Sequence, residues 1–357
     1  MSTPIYEPLL KELRKQVTGG RVQAGSRLGT ELGLARRHKL SRVSVRTAVS
    51  QLIEEGLLER RPGRGIYARP PPVRFQIVEA IMPSLDYMWR DIALGAQNVG
   101  THHGTLVRIC NACGDFEADL RMIRNLPQSG AHGAIIGSLH QPALREAVTR
   151  LHLAKFPMVL VDERLEGMAI PSVTFDNHQA GRMAAEELLQ RGHRRIGFVG
   201  FTETAALSQR LHGLREALND AGVTLDRSLI GSLPVLSLVT PALAEALPQC
   251  LEQILMRPDR PSALVFHDSL LAVHAYKIIR SFGLKIPDDI SLVGIGYVAE
   301  FAWAEPSLAC VVLPAATMGC AAMELLLQKL NHPDTPIEHR ILPVTWQNGD
   351  SAGYKTR

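Results

Sequence analysis

Ser41-Arg42-Val43-Ser44-Val45-Arg46 and, after it, Arg60-Arg61-Pro62-Gly63-Arg64-Gly65-Ile66-Tyr67 decide how the amino-terminal part of this chain folds. The first run reads as the opening of a helix capped by Ser41. On a helical wheel Val45, Ala48, Val49, Leu52 and Ile53 share the core side, while Val43, Ser44, Arg46, Thr47 and Ser50 lie opposite. Arg42 stands at the N-terminal edge. Gly56 ends the helix, and two short strands, about Leu57–Arg60 and Ile66–Ala68, flank a tight turn. The glycines on either side of Arg64 let that tip turn sharply. The order is that of a winged helix-turn-helix.

Working outward, Leu9, Leu10, Leu13 and Val17 recur at helical spacing, which predicts a helix over Pro4–Val17 ended by Gly19-Gly20. Thr30 is placed to cap a second helix, with Glu31 favourable in its first turn. The polar face of the Ser41 helix is short-chained around one long cation, so it can approach base edges closely. Arg64 at the hairpin tip is placed to reach a groove or a phosphate. Any one of Arg42, Arg46 and Arg64 is better explained as a solvated surface charge. The three together, on helix and hairpin, are harder to explain that way.

Charge distribution points the same way. Residues 1–69 hold 14 Lys/Arg against 6 Asp/Glu, a net +8, whereas residues 70–357 hold 25 against 29, a net −4. A small basic head on a mildly acidic body implies a polyanion partner for the head alone. At 357 residues, 46% of them hydrophobic and 21% charged, the chain has room for two or three globular domains. It shows neither an apolar run of membrane-spanning length nor a signal-peptide core, so a cytoplasmic protein without a membrane partner is expected. Five cysteines fit a reducing compartment. Cys110-Asn111-Ala112-Cys113 has no second pair to complete a zinc site, and the thirteen histidines are scattered; no metal or cofactor is expected.

Pro70-Pro71-Pro72 breaks the chain at a semi-rigid spacer, residues 70–75. Beyond it, apolar runs alternate with helical patterns. Strands are expected at Ile77–Met82, Thr105–Ile109, Gly133–Ile136, Met158–Val161, Ile196–Val199, Ala263–Phe266 and Ser291–Ile295. Helices are expected near 89–102, 116–126, 141–152, 178–191, 208–221, 241–256, 269–282 and 315–330. This alternation predicts parallel sheets covered on both faces, with ligand beyond the carboxyl ends of the strands.

The segment Gly25-Ser26-Arg27-Leu28, Glu31-Leu32, Leu34-Ala35, Ser41-Arg42, Val45-Arg46, Ala48, Leu52, Glu55-Gly56-Leu57-Leu58 and Gly63-Arg64-Gly65 resembles the GntR-family winged helix. It departs at Gly29, where that family usually has proline, and at Leu32, where some members carry a DNA-contacting arginine. The resemblance implies DNA contacts from Ser41, Arg42, Ser44, Arg46, Gly63, Arg64 and Gly65, with Thr47 on the same polar face.

Residues 76–350 resemble the LacI-family effector domain, itself similar to periplasmic sugar-binding proteins. The match runs through Val173-Thr174-Phe175-Asp176-Asn177, Gly181, Ala184, Gly192-His193-Arg194-Arg195-Ile196, Arg210, Gly213 and Ala217. It continues through Asp268, Gly283, Ile286-Pro287-Asp288-Asp289-Ile290-Ser291-Leu292-Val293-Gly294, Pro306-Ser307-Leu308, Gly319 and Ala322. The fold implied is two doubly wound α/β lobes around a cleft, crossed by the chain about three times, and a homodimer. Cleft residues implied are Ser84, Asp86, Trp89, Asp162, Arg210, His267 and Asp268: carboxylates to accept from hydroxyls, a guanidinium fork to donate, indole to cover an apolar ring face. Trp89 reads equally as core, and Asp268 nearly equally as a helix cap. His267 replaces the family's usual asparagine and Gly296-Tyr297 its aspartate pair, which puts an ordinary hexose in doubt.

Together these readings describe a DNA-binding transcriptional regulator: residues 1–69 for double-stranded operator DNA, residues 76–350 for a small-molecule effector of carbohydrate or related type and for dimerisation. Two alternatives stay open. One is an enzyme acting on a sugar or nucleotide, although there is no P-loop, GxSxG, HExxH or complete GxGxxG. The other is a constitutive DNA-binding protein with a degenerate cleft.

Overall fold

A computed structural model describes residues 4–18, 22, 25–69, 76–112, 115–137, 139, 141–201, 204–233, 241–296, 301 and 303–355. The chain forms two compact units, Met1–Phe75 and Gln76–Arg357. The proline spacer at 70–75 lies outside the described residues.

The first unit contains α1 (Glu7–Thr18), β1 (Arg27–Gly29), α2 (Glu31–His38), α3 (Arg42–Glu54), β2 (Leu58–Arg61) and β3 (Gly65–Ala68). Both helix starts are capped by side chains: Thr30 Oγ1 accepts from Gly33 N at 3.1 Å and Ser41 Oγ from Ser44 N at 3.0 Å. Each such cap is worth about 1 kcal/mol to its helix. Leu9, Leu10, Leu13 and Val17 of α1 pack with Leu34, Val45, Ala48, Val49 and Leu52, and Arg14 grips Glu55 with two bonds of 2.9 and 2.6 Å. Ile53, expected in the core, is only partly buried against it. The hairpin gains a third strand that the sequence pattern did not indicate, giving the order β1-β3-β2. Gly29 joins β3 at an irregular register with φ of 132°, which the fixed ring of proline excludes. The departure from the family's proline therefore has a local backbone cause.

The second unit builds two six-stranded sheets. The chain lays down β4 (Gln76–Met82), α4 (Tyr87–His102), β5 (Thr105–Asn111), α5 (Phe116–Asn125), β6 (Gly133–Gly137), α6 (Pro142–Leu153), β7 (Met158–Val161) and β8 (Ser172–Phe175). Through α7 (Asn177–Gln190) it enters the second lobe: β9 (Ile196–Phe201), α8 (Ala205–Asp220), β10 (Ile230–Leu233), α9 (Pro241–Leu255), β11 (Ala263–Phe266), α10 (Ser269–Ser281), β12 (Ser291–Ile295) and β13 (Ala309–Val312). It returns through α11 (Ala315–Asn331) to β14 (His339–Leu342), and crosses again to β15 (Thr345–Gln347). Strand orders are β14-β8-β7-β6-β4-β5 and β10-β9-β11-β12-β13-β15. Every pairing in this unit is parallel except β13 with β15.

The three crossings match the expected number. Five strands of the body, β8, β10, β13, β14 and β15, were not predicted from the apolar runs. Each is four residues or fewer, and β10, β14 and β15 include exposed positions, so no long hydrophobic stretch marks them. Each lobe also has one close helix crossing. A side chain at Gly181 would overlap the Arg210 backbone and one at Gly213 the His178 backbone, locking α7 onto α8. Gly95 and Gly319 do the same for α4 and α11.

Candidate nucleic-acid interface and ligand cleft

In the first unit α3 and the β2–β3 turn present the sequence-predicted residues. Ser41 caps α3 and its hydroxyl also meets that of Ser44 at 2.9 Å, so this pair is pre-arranged at the helix N-terminus. Arg42 is 72% exposed, with Glu31 3.8 Å away. Arg46 and Thr47 are exposed on the next turn, the Thr47 hydroxyl donating to Val43 O at 3.1 Å. At the turn, Gly63 and Gly65 have φ of 70° and 111°, and Arg64 between them is exposed. A side chain on Gly65 would stand 2.5 Å from Gly29 O, so glycine is also required by the third strand.

Glu31 does more than favour the first turn of α2. It is only 15% exposed and holds Arg60 of β2 at 2.8 Å as well as facing Arg42, tying the β2–β3 hairpin to α3. Arg61 and Arg69 share Glu59, and Arg61 lies over the Tyr67 ring at 4.3 Å. These pairs leave Arg46 and Arg64 without a carboxylate partner among the described residues. Leu32 is half exposed and carries no charge. Sequence reading missed Arg60 and Arg61 as basic groups beside this surface, although both stood in the quoted hairpin.

In the second unit the predicted ligand residues follow the carboxyl ends of strands in both lobes. Ser84 and Asp86 come after β4, where the Ser84 hydroxyl donates to Asp86 at 2.6 Å. Asp86 precedes α4 without using its side chain as a cap. Asp162, immediately after β7, adopts φ of 65°. Trp89 is 8% exposed; its ring presses on Gly137 at the end of β6, where any side chain would collide with it. The indole therefore belongs to the core.

Arg210 is the centre of the second lobe's contribution. It is 4% exposed, donating to Asn177 Oδ1 at 2.8 Å, to His267 O at 2.6 Å and to His267 Nδ1 at 3.0 Å. Accepting at Nδ1 places the imidazole proton on Nε2 when the ring is neutral. Burial pulls the proton affinity of the guanidinium down, and Asp162 and Asp268 act against that pull. Asp268 caps α10 through Leu270 N at 2.7 Å and Leu271 N at 3.3 Å. Burial pushes its carboxyl up to about 6, the helix amides and Arg210 oppose this, and Asp86 from the facing lobe adds to it. Asp162 and Asp268 thus both act on this guanidinium, and Asp86 acts on Asp268. Across the lobes, the Tyr87 and Phe301 rings meet at 5.6 Å between centroids.

Asn177 was quoted in the sequence motif but not assigned to the site; its buried contact with Arg210 was invisible in one dimension. Gly296 has φ of 107°, a conformation that disfavours the aspartate usual in the family, and Tyr297 lies outside the described residues. The structure also gathers His178, His212 and Glu216, which the reading of scattered histidines did not join.

Comparison with known proteins defines the class. Residues 5–68 match the bacterial regulatory proteins of the gntR family, and residues 185–352 the periplasmic binding protein-like domain. The chain is a DNA-binding transcriptional regulator whose head is similar to the gntR family and whose body is similar to periplasmic binding protein-like domains. An arabinose metabolism transcriptional repressor from Geobacillus stearothermophilus is 27% identical over 342 residues, 92% of this chain and 91% of its own length. The repressor CytR of Escherichia coli K12 is 26% identical over 278 residues, 78% of each chain. The solved structure of transcription regulator CcpA of Lactococcus lactis shares the fold, with TM-score 0.69 and 20% identity, over 78% of this chain and all of that one. These relatives are regulators. No helix among the described residues is long and apolar enough to cross a membrane.

Proposed function

We propose that this protein is a cytoplasmic, homodimeric repressor whose hold on a near-palindromic operator is set by a small polyhydroxylated effector in the body cleft. Residues 1–69 supply the DNA contacts, through Ser41, Arg42, Ser44, Arg46, Thr47 and the Gly63-Arg64-Gly65 tip. Two heads on a two-fold axis reach successive major-groove faces about 10 bp apart. Residues 76–350 carry the effector site and the dimer contact, joined to the head by the 70–75 spacer.

The observation that carries the effector reading is the buried Arg210 held by Asn177 and His267, with Asp162 and Asp268 acting on its charge and Asp86 acting on Asp268. One fixed donor fork amid carboxylate acceptors is suited to a neutral polyol, since an anionic ligand would meet a surplus of negative charge. Sugars and nucleosides have that chemistry, and the name of the similar arabinose metabolism repressor agrees with a sugar. The effector acts by preferring one arrangement of the lobes and therefore of the heads. Calorimetry of the full-length protein against mono- and disaccharides and nucleosides tests it, followed by operator titration with each binder. Binding of one of these with a shift in operator affinity is the expected result. Absence of any binding favours the constitutive alternative, for which the backbone of Gly296 is the supporting observation.

A further inference from the structure

The solvent side of the α7–α8 crossing carries a cluster that neither the DNA surface nor the cleft uses. His178 comes from the first turn of α7; His212 and Glu216 stand one turn apart on α8. One ligand atom of each lies within 4.8 Å of the other two. His178 Nε2 meets Glu216 Oε2 at 2.6 Å, and the two imidazole rings are 5.4 Å apart between centroids. Beneath them the two helices touch backbone to backbone at Gly181 and Gly213. The spacing between His178 and the α8 pair is therefore set by the fold and not by side-chain chance.

We propose that His178, His212 and Glu216 form a binding site for a zinc-class divalent ion, Zn²⁺, Co²⁺ or Ni²⁺. Two imidazole nitrogens and one carboxylate oxygen make a three-ligand set of the kind that leaves a fourth position to water. Metal–ligand bonds of about 2.0–2.2 Å require donor atoms roughly 3.3 Å apart. The His178–Glu216 pair opens from 2.6 Å, and the wider separations, up to 4.8 Å, close to that by rotation of side chains that are partly or fully exposed. Coordination breaks the His178–Glu216 hydrogen bond: its proton leaves to solvent or moves to Nδ1 of His178, and Nε2 and Oε2 each bond the ion instead. The other Glu216 oxygen faces Arg182 at 3.8 Å, which orients the carboxylate with Oε2 toward the histidines. The charge of Arg182 works against a cation, but Asp220 at 2.9 Å and Glu186 at 3.0 Å compensate it.

An ion here would cross-link the start of α7 to the middle of α8. Their inward side chains Asn177 and Arg210, close in sequence to His178 and His212, meet at 2.8 Å. The site is independent of the effector reading, and its test uses no sugar and no DNA.

The experiment titrates full-length protein, stripped with a chelator, with Co²⁺ alone and follows visible absorption; Zn²⁺ calorimetry gives stoichiometry. One ion per chain with submillimolar affinity and an intensified d–d band is expected. H212A and E216Q should each weaken binding at least roughly tenfold, and H178Q should do the same while keeping a polar side chain at that position. Metal-free unfolding midpoints of all three should stay near that of the unchanged protein, because the residues are partly or fully exposed. The proposal is overturned if the unchanged protein fails to bind Co²⁺ below about 1 mM, or if H212A and H178Q bind it as the unchanged protein does.

Discussion

The head and the body handle arginine in opposite ways. In the head, Arg46 and Arg64 are exposed, with no carboxylate partner among the described residues, on a scaffold where Glu31 and Glu59 pair with other arginines. In the body, Arg210 is buried, hydrogen-bonded to Asn177 and His267 and flanked by carboxylates. The two arrangements suit two kinds of partner. A polyanion is bound by charges that stay solvated until it arrives and displace its counterions. A small neutral molecule needs donors fixed in place before it arrives, because each rotamer frozen on binding subtracts from affinity.

The largest effect expected from breaking this contrast is at Arg210. Arg210→Met removes the cation on which Asp162 and Asp268 act and takes its hydrogen bonds away from Asn177 and His267. Losing one side of a buried charged pair costs about 3–5 kcal/mol. The body's unfolding midpoint should fall clearly, and effector affinity should drop by more than about a hundredfold. Operator affinity of the effector-free protein should change little, since the head is a separate compact unit. Calorimetry and a band-shift titration on the same sample separate the two. If effector binding survives, Arg210 is a structural residue.

The converse substitution is Arg46→Ala. No hydrogen bond or ion pair ties Arg46 to another described residue of the head, so stability should hold while operator affinity falls by about 1–3 kcal/mol, roughly five- to 150-fold. The slope of affinity against salt should also become shallower if Arg46 contacts a phosphate, and stay unchanged if it reads a base edge. Undiminished operator binding would place the recognition surface elsewhere.

How much of this was legible in the sequence follows from where each element is buried. Met158–Val161, Ala263–Phe266 and Ser291–Ile295 are fully buried strands, and their apolar runs give their limits to the residue. β14 and β15 lie at sheet edges with polar and partly exposed side chains, and β1 pairs only because Gly29 takes a positive φ; no periodicity records these features. For the sites, Ser41 and the glycines around Arg64 were legible because caps and turns are local chemistry. The Arg210–Asn177 contact was not, because it joins two helices across 33 positions of chain. His212 and Glu216 have the spacing of neighbours on a helix face, whereas His178 joins them only through the α7–α8 crossing.

A smaller effect sharpens the account of the wing. Gly65→Ala places a methyl 2.5 Å from Gly29 O in a backbone conformation of φ 111°. The expected cost is about 1–3 kcal/mol, carried by the β1–β3 contact and not by α3. Operator affinity should fall less than for Arg46→Ala, and the loss should be accompanied by a lower unfolding midpoint of the head. A fall in affinity with no change in that midpoint would assign Gly65 a direct backbone approach to DNA instead.

The smallest expected effect is the pH response of the cleft, and its two signs are opposed. The Asp268 carboxyl stands at about 6 in the fold against 3.8 ordinarily, so the folded body penalises its ionised form. That cost is fully present above about pH 6 and is relieved as pH falls toward 4; from this group alone the unliganded body gains stability on acidification. An effector hydroxyl donating to Asp268 favours the ionised form, so effector affinity should move the other way. From about pH 7.5 to about pH 5.5 the ionised fraction falls from nearly all to roughly a quarter, which weakens binding about fourfold. Asp268→Asn should flatten both responses, the first in thermal unfolding and the second in calorimetry. If the unchanged protein binds its effector equally well at both pH values, Asp268 serves only as the cap of α10, and the cleft's acceptors reduce to Asp86 and Asp162.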